Sequence, residues 1–222
     1  MAIGDLHGDF EAYRAILRSA RLVDERGRWA GGETVLVQLG DIADRGPDSL
    51  KIIRHLMRLQ REAKQARGKV VVVLGNHEAM MMTGDLRYVH PGEYAAFADS
   101  QSERRRERAF EANRAAIENS YRERDPTLSA AAVKETWFAE TPLGMLEHQA
   151  AWHPTGEIGR WAARNPAVAL IGETIFVHGG ISPAYTAVPI EEINRRVAAA
   201  LAARETAPDS IINDPAGPLW YR

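Results

Sequence analysis

Short apolar runs alternate with longer helical patterns through the first third of the chain. Residues 34–39 and 69–74 are almost continuously apolar and β-branched, as expected of strands that are covered on both faces. Apolar residues at helical spacing precede them, with Phe10 and Leu17 on one stripe, and a second helix is predicted over residues 49–66. This alternation predicts an α/β protein of the βαβ type.

The pattern becomes helical from about residue 93 to residue 164. Phe110 and Ile117 lie on one stripe of this segment, and a dense mixture of Arg and Glu occupies the rest. Breaks are predicted at residues 125–126, which read Asp-Pro, and at residues 154–156, which read Pro-Thr-Gly. We therefore expect a helical cap inserted into the α/β fold.

Strand patterns resume after the cap. Residues 168–171 and 174–177 flank a Gly-Glu turn and predict a hairpin that delivers His178 to its end. Pro189 then opens an amphipathic helix at a position that tolerates a missing N–H. The buried stripe of that helix is predicted to consist of Ile190, Ile193, Val197 and Leu201.

Composition fits one globular domain over residues 1–222. The net charge is −2, so no basic surface argues for nucleic acid, and no apolar run approaches the length of a membrane span. There is no cysteine, which limits metal ligands to His, Asp, Glu, Asn and water. Only three residues precede Gly4, so the N-terminus looks trimmed and the compartment, cytoplasmic or periplasmic, stays open.

Four polar, glycine-containing runs each follow a predicted strand. They are residues 4–8 (GDLHG), 40–46 (GDIADRG), 75–78 (GNHE) and 177–180 (VHGG). Ligands of open α/β sheets bind at the carboxyl ends of the strands, so these runs are expected to meet at one edge. Their carboxylates, amide and imidazoles suit a hard or borderline divalent metal, and the pattern predicts two-metal hydrolysis of a phosphate ester.

A pair of metals needs one bridging carboxylate with separate ligands on either side. We assign Asp41 as the bridge. Asp5 and His7 are predicted to hold the first metal, and Asn76 and His178 the second.

His77 adjoins a predicted ligand but points the other way in an extended segment, which suits a proton donor to the leaving oxygen. Asp44 is its expected partner, because a carboxylate fixes the tautomer and raises the basicity of a histidine. Arg45 is predicted to bind two phosphate oxygens at once, which lysine does poorly.

Together these motifs resemble the phosphoprotein phosphatases within the calcineurin-like metallophosphoesterases. Residues 75–89, 156–161 and 217–222 (GPLWYR) are similar to the bacterial, Shewanella-like branch. The resemblance implies a four-layer α/β/β/α sandwich, a centre of two Mn, Fe or Zn ions, and attack by a metal-bridging hydroxide. It supports the assignments above and implies that Arg222 is a second phosphate-binding arginine.

Members of this family continue past that arginine and present one more metal-ligand histidine. No such residue follows Arg222, so we expect the C-terminal part of the fold to be missing. His153 is the alternative source of that ligand, whereas His55, His90 and His148 are assigned to packing, the surface or the cap. The predicted function is a phosphoprotein phosphatase acting on phosphorylated Ser, Thr or Tyr of a protein or peptide. The alternatives are a dinucleoside polyphosphate hydrolase and a catalytically weak phosphate-binding fragment.

Overall fold

The computed structural model describes residues 1–222 as two β-sheets surrounded by helices. The strands are β1 (Ala2–Ile3), β2 (Val35–Gln38), β3 (Lys69–Val72), β4 (Val168–Ile171) and β5 (Thr174–Val177). β1, β2 and β3 form a parallel sheet in that order, and β4 pairs with β5 in an antiparallel hairpin. The strand regions and the hairpin predicted from the apolar pattern are confirmed.

Nine α-helices connect and cover these strands. They are α1 (Phe10–Ser19), α2 (Ser49–Gln65), α3 (Asn76–Thr83), α4 (Pro91–Ala95), α5 (Ser102–Arg124), α6 (Ala130–Glu140), α7 (Met145–Trp152), α8 (Glu157–Ala162) and α9 (Ile190–Ala203). Both breaks predicted in the helical segment are confirmed, because α5 ends just before Asp125 and residues 154–156 separate α7 from α8. None of these helices combines the length and apolar character that crossing a membrane requires.

The parallel sheet is buried on both faces because side chains alternate along each strand. Leu36 and Val70 belong to the main core, together with Leu56 of α2. The opposite face carries Val71, which packs in a second apolar cluster with Ala169 of the hairpin. Helices, sheet and hairpin thus form successive layers, as the α/β prediction required. The outer face of the hairpin exposes Leu170 and Ile175.

Pro189 is the N-cap residue of α9, one position before the helix begins. Its ring therefore sets the direction of chain entry without removing any hydrogen bond of the helix. The predicted stripe is buried at Ile193, Val197 and Leu201, whereas Ile190 is only half-buried in the first turn.

Candidate active site

The predicted metal ligands lie together at the carboxyl ends of the strands. Asp5 and His7 follow β1, Asp41 follows β2, Asn76 follows β3 and His178 follows β5 directly. Parallel strands bring their carboxyl ends to one edge, and the hairpin adds the histidine from a second sheet. The expected proximity of these side chains is confirmed, and their roles as ligands stay a prediction.

Asp41 occupies the centre of this group. Its Oδ2 lies 3.3 Å from Nε2 of His178 and 3.8 Å from Nε2 of His7. Only 5% of its side chain is exposed. Burial opposes ionisation of Asp41, but hydrogen bonding to His178 and the positive charges of His178 and His77 outweigh it, so the pKa of Asp41 is lowered.

Two overlapping groups of side chains that could hold a metal ion share this carboxylate. One consists of His7, Asp41 and His77, the other of Asp5, Asp41 and His178, and the donor atoms of each lie within 4.8 Å of one another. A carboxylate common to two groups of donors is the arrangement that a bridging ligand requires. By distance alone, His77 could be a metal ligand as well.

Hydrogen bonds to backbone carbonyls orient the two predicted ligand histidines. Nδ1 of His7 lies 3.0 Å from the carbonyl oxygen of Ala43, and Nδ1 of His178 lies 2.8 Å from that of Leu39. Each Nδ1–H donates to its carbonyl, which leaves Nε2 of each ring facing Asp41. The Oδ1 atom of Asn76 approaches Nε2 of His178 at 3.0 Å. These residues therefore fit divalent metal ions.

His77 differs from those histidines in its Nδ1 partner, which is a carboxylate. Nδ1 lies 2.6 Å from Oδ2 of Asp44, and both side chains are buried. Burial alone would lower the pKa of His77, but the hydrogen bond to Asp44 and the charges of Asp41 and Asp44 outweigh it, so that pKa is raised. A more basic imidazole keeps its proton to a higher pH, which suits a general acid.

The backbone at His77 is helical, so the expectation of an extended segment was wrong. α3 begins at Asn76 with Gly75 as its N-cap residue. Successive side chains of a helix are separated by about 100°, since it has about 3.6 residues per turn. The helix therefore directs Asn76 and His77 to different sides of the cluster, as the alternation of a strand would have done.

Two arginine side chains converge on the same group. The guanidinium of Arg45 places Nη1 2.9 Å from Nε2 of His7 and Nη2 3.2 Å from Nε2 of His77. Nη2 of Arg222 lies 3.1 Å from Nε2 of His178. Both guanidinium groups thus face the ring nitrogens around Asp41, where a phosphate oxygen could accept their hydrogen bonds.

The loops of the cluster hold non-glycine residues in left-handed backbone conformations. His7 has a φ of 43°, Asp41 of 52°, Asp44 of 71° and Arg45 of 66°. Such a conformation costs about 1–3 kcal/mol at each non-glycine residue and concentrates at functional sites. At Gly46 a β-carbon would lie 2.2 Å from the carbonyl oxygen of His7, so glycine allows the two loops to touch.

Glu78 organises the cluster, although no role was assigned to it from the sequence. Its buried carboxylate accepts hydrogen bonds from the backbone N–H groups of Gly75, Asp41, Ile42 and Ala43, at 2.8 to 3.2 Å. It therefore ties the start of α3 to the loop after β2. Its position in the GNHE run, three residues into a helix, was the signal for a capping carboxylate.

A cavity of about 270 Å³ opens beside His77. Its mouth carries Tyr88 and Trp220, which expose 46% and 36% of their surfaces. The Tyr88 ring centroid lies 5.4 Å from that of His77, and the guanidinium carbons of Arg45 and Arg87 lie 5.9 Å from the Tyr88 ring. The entrance therefore offers aromatic surface next to positive charge.

His153 does not take part in this cluster. Its Nδ1 pairs with the hydroxyl of Thr155 at 2.8 Å, and its ring lines a separate cavity with Leu146 and Arg204. It does not supply the further ligand for which it was the alternative. The methionines at positions 80–82 are buried.

Comparisons with known proteins agree with this geometry. A sequence profile described as calcineurin-like phosphoesterase matches residues 1–218. The chain is 36% identical over 201 residues to Shewanella-like protein phosphatase 2 of Arabidopsis thaliana, covering 89% of this chain and 50% of that protein. It is 28% identical to Shewanella-like protein phosphatase 1 of Plasmodium berghei, covering 87% of this chain and 42% of the relative.

Among solved structures, the cold-active protein-tyrosine phosphatase of a psychrophilic Shewanella species superposes with a TM-score of 0.67. The sequences are 25% identical, and the match covers all of this chain and 56% of the other. The chain thus spans about half the length of the relatives that it matches. Because the family profile covers almost the whole chain and the fold is shared, this chain belongs to the calcineurin-like phosphoesterases.

Proposed function

We propose that this chain forms the catalytic part of a metal-dependent phosphomonoester hydrolase that acts on phosphorylated protein side chains. One observation carries the proposal: the buried Asp41 carboxylate is shared by two groups of metal-ligating side chains. The guanidinium groups of Arg45 and Arg222 face the ring nitrogens of the same cluster. The protein phosphatases among its relatives support a protein substrate.

The five predicted ligands would hold two ions of the Mn, Fe or Zn type. These residues are Asp5, His7, Asp41, Asn76 and His178. When bound, such ions supply an acidified attacking water, the proposed bridging hydroxide, and neutralise phosphate oxygens. Hydrogen bonds of His7 and His178 to backbone carbonyls keep their Nε2 atoms in the orientation that binding requires.

Arg45 and Arg222 hold the phosphate group and orient it for attack. A guanidinium group donates two parallel hydrogen bonds to a phosphate, so two arginines on different sides fix both its position and its rotation. Arg45 also contacts Nε2 of His77 at 3.2 Å, which places bound phosphate next to that ring. His77 donates the proton on Nε2 to the departing oxygen, while Asp44 accepts from Nδ1–H and stabilises the charged ring.

The aromatic mouth of the cavity favours an aryl phosphate. Tyr88 and Trp220 border the cavity that His77 and Arg45 line, so the phenyl ring of phosphotyrosine would meet aromatic surface. A serine or threonine side chain offers only one or a few carbon atoms to the same surface. The named activity of the Shewanella phosphatase agrees with this preference for tyrosine.

Turnover of matched substrates in the presence of Mn²⁺ tests the proposal. Phosphotyrosine and phosphoserine peptides of one sequence are compared with diadenosine tetraphosphate. The expected result is hydrolysis of both peptides, faster for phosphotyrosine, with little cleavage of the dinucleotide. Exclusive cleavage of diadenosine tetraphosphate would overturn the protein phosphatase assignment. Phosphate binding without turnover of any substrate would identify a phosphate-binding fragment instead.

A further inference from the structure

A buried polar chain leads from the predicted acid pair into the helical cap. Glu93 of α4 accepts hydrogen bonds through Oε2 from the backbone N–H of Asp44, at 3.3 Å, and from the hydroxyl of Ser49, at 2.8 Å. Its Oε1 lies 3.2 Å from Nε2 of His148 in α7. All four residues are fully buried, at 0% exposure.

Aromatic rings enclose the far end of this chain. The rings of Tyr94 and Phe97 meet the His148 ring edge to face, at centroid distances of 5.2 and 5.1 Å. Nδ1 of His148 has no hydrogen-bond partner, so Glu93 is the sole polar contact of the ring. A buried carboxylate and imidazole are costly to remove from water unless they pair with each other. The Glu93–His148 pair therefore occupies a buried site where apolar side chains would cost less free energy to bury.

Glu93 contacts the loop that carries Asp44 and Arg45. Both residues have left-handed backbone conformations, which non-glycine residues adopt only when their surroundings hold them. The backbone N–H of Asp44 donates to Glu93, and that of Arg45 donates to the carbonyl oxygen of Tyr88 at 2.9 Å. Two successive amides of the loop are thus held by Glu93 and Tyr88.

From this geometry we propose that Glu93 and His148 are positioning residues for the phosphatase reaction. Neither residue touches the predicted ligands or the cavity. Through the Asp44 amide, Glu93 holds the loop in the conformation that aims Asp44 at His77 and the Arg45 guanidinium at the cluster. His148 holds the Glu93 carboxylate in turn. This inference rests on the proposed function, because it assigns a task within that reaction.

Kinetics of the Glu93→Gln variant test the proposal. Glutamine has the same shape but a neutral acceptor, and a hydrogen bond to a neutral group is roughly half as strong as one to a carboxylate. We expect kcat for phenyl phosphate, whose leaving group is poor, to fall about tenfold, with a smaller fall for p-nitrophenyl phosphate. Manganese content should not change.

Glu147→Gln is the matched control. Glu147 precedes His148 in α7 and pairs with Ser102 and Arg105 inside the cap, but it does not contact the loop. Loss of the Glu147 carboxylate weakens contacts inside the cap, which should affect turnover of every substrate to the same extent. The ratio of kcat for phenyl phosphate to kcat for p-nitrophenyl phosphate should therefore stay at the wild-type value. Equal loss for both substrates in Glu93→Gln would show a purely structural role and overturn the proposal.

Hydrogen–deuterium exchange gives a readout that does not depend on activity. Exchange of a peptide covering residues 41–48 should accelerate about tenfold in Glu93→Gln and stay unchanged in Glu147→Gln. Unchanged exchange in Glu93→Gln would overturn the proposal even if the chain turned over no substrate at all. If Glu93→Gln does not fold, His148→Gln, whose amide can still donate to Glu93, is measured in the same way with a smaller expected effect.

Discussion

Nδ1 of His77 lies 2.6 Å from Oδ2 of Asp44, and solvent reaches almost none of either side chain. Burial raises the pKa of Asp44 despite the hydrogen bond to His77. For His77 the hydrogen bond to Asp44 and the charges of Asp41 and Asp44 outweigh burial, so the pKa of His77 is raised. Nε2 of His77 remains directed towards Arg45 and the cavity. The fold thus presents Nε2 of His77 to the cavity in which we propose that a phosphate ester binds.

Replacing His77 by alanine should reduce turnover while leaving metal content unchanged. Loss of a general acid typically costs about 10²–10⁴-fold in rate, and the loss grows as the leaving group becomes more basic. Rates for a series of aryl phosphates and elemental analysis of the purified protein check both points. Because His77 lies within 4.8 Å of His7 and Asp41, loss of metal in this variant would instead identify it as a ligand.

Asp41→Asn should empty both metal positions together. An amide carries no charge and bridges two cations poorly, and Asp41 is common to both groups of donors. Elemental analysis should therefore find less than one ion per chain. Asp48→Asn in the same loop, where Asp48 pairs with Lys51, is the control and should retain the wild-type content. Two ions in Asp41→Asn would exclude a bridging role.

Gly75→Ala should disrupt the site, whereas Gly4→Ala should not. A β-carbon on Gly75 would lie 2.2 Å from Oδ1 and 2.4 Å from the backbone nitrogen of Asp41, but one on Gly4 meets nothing within 4 Å. We expect Gly75→Ala to cost about 1–3 kcal/mol in unfolding free energy, since overpacking forces backbone shifts. Turnover should fall as well. Thermal unfolding and phosphatase assays of both variants give the comparison. Equal stability and turnover in the two variants would contradict the close approach of Gly75 to Asp41.

His55 should make stability depend on pH around neutrality. Burial lowers the pKa of His55 below its usual value of 6.5, although hydrogen bonding to Gly27 partly opposes this. The unfolded chain therefore binds the proton on His55 more readily, so the contribution of His55 to the free energy of unfolding is greatest above pH 6.5 and falls as the pH drops below it.

His55→Gln should flatten this part of the pH dependence. Urea denaturation between pH 5.5 and 7.5 gives the difference in unfolding free energy between the variant and the wild type. If the unfolding free energy of His55→Gln falls with decreasing pH as steeply as that of the wild type, other groups cause the decline. His55 forms hydrogen bonds with Tyr13 and Gly27, outside the cluster around Asp41, so stability rather than turnover is the quantity to measure.

Much of the fold and the meeting of the polar runs could be predicted from local pattern. The runs at residues 34–39 and 69–74 are apolar because both faces of the sheet are covered, so their composition alone marks them as strands. A polar run directly after each strand must then lie at the same edge. The convergence of Asp5, His7 and Asn76 around Asp41 follows from these two facts, whereas His178 comes from the second sheet.

Long-range polar contacts could not be predicted in this way. Glu93 and His148 lie in a segment whose many charges are typical of a solvated surface, and nothing local distinguishes a buried carboxylate from its exposed neighbours. The extended segment expected at His77 was wrong because only residues 73–75 separate the end of β3 from the start of α3. His153, the alternative source of a further ligand, lines a separate cavity, and nothing in the local sequence indicates this.

The left-handed residues around the cluster imply a conflict between heat tolerance and catalysis. His7, Asp41, Asp44 and Arg45 all carry unfavourable backbone angles that glycine would adopt freely, yet glycine has none of their chemistry. A lineage that lost the reaction would therefore be free to replace them and gain thermal resistance. Relatives from hot environments have to find their extra stability elsewhere in the fold.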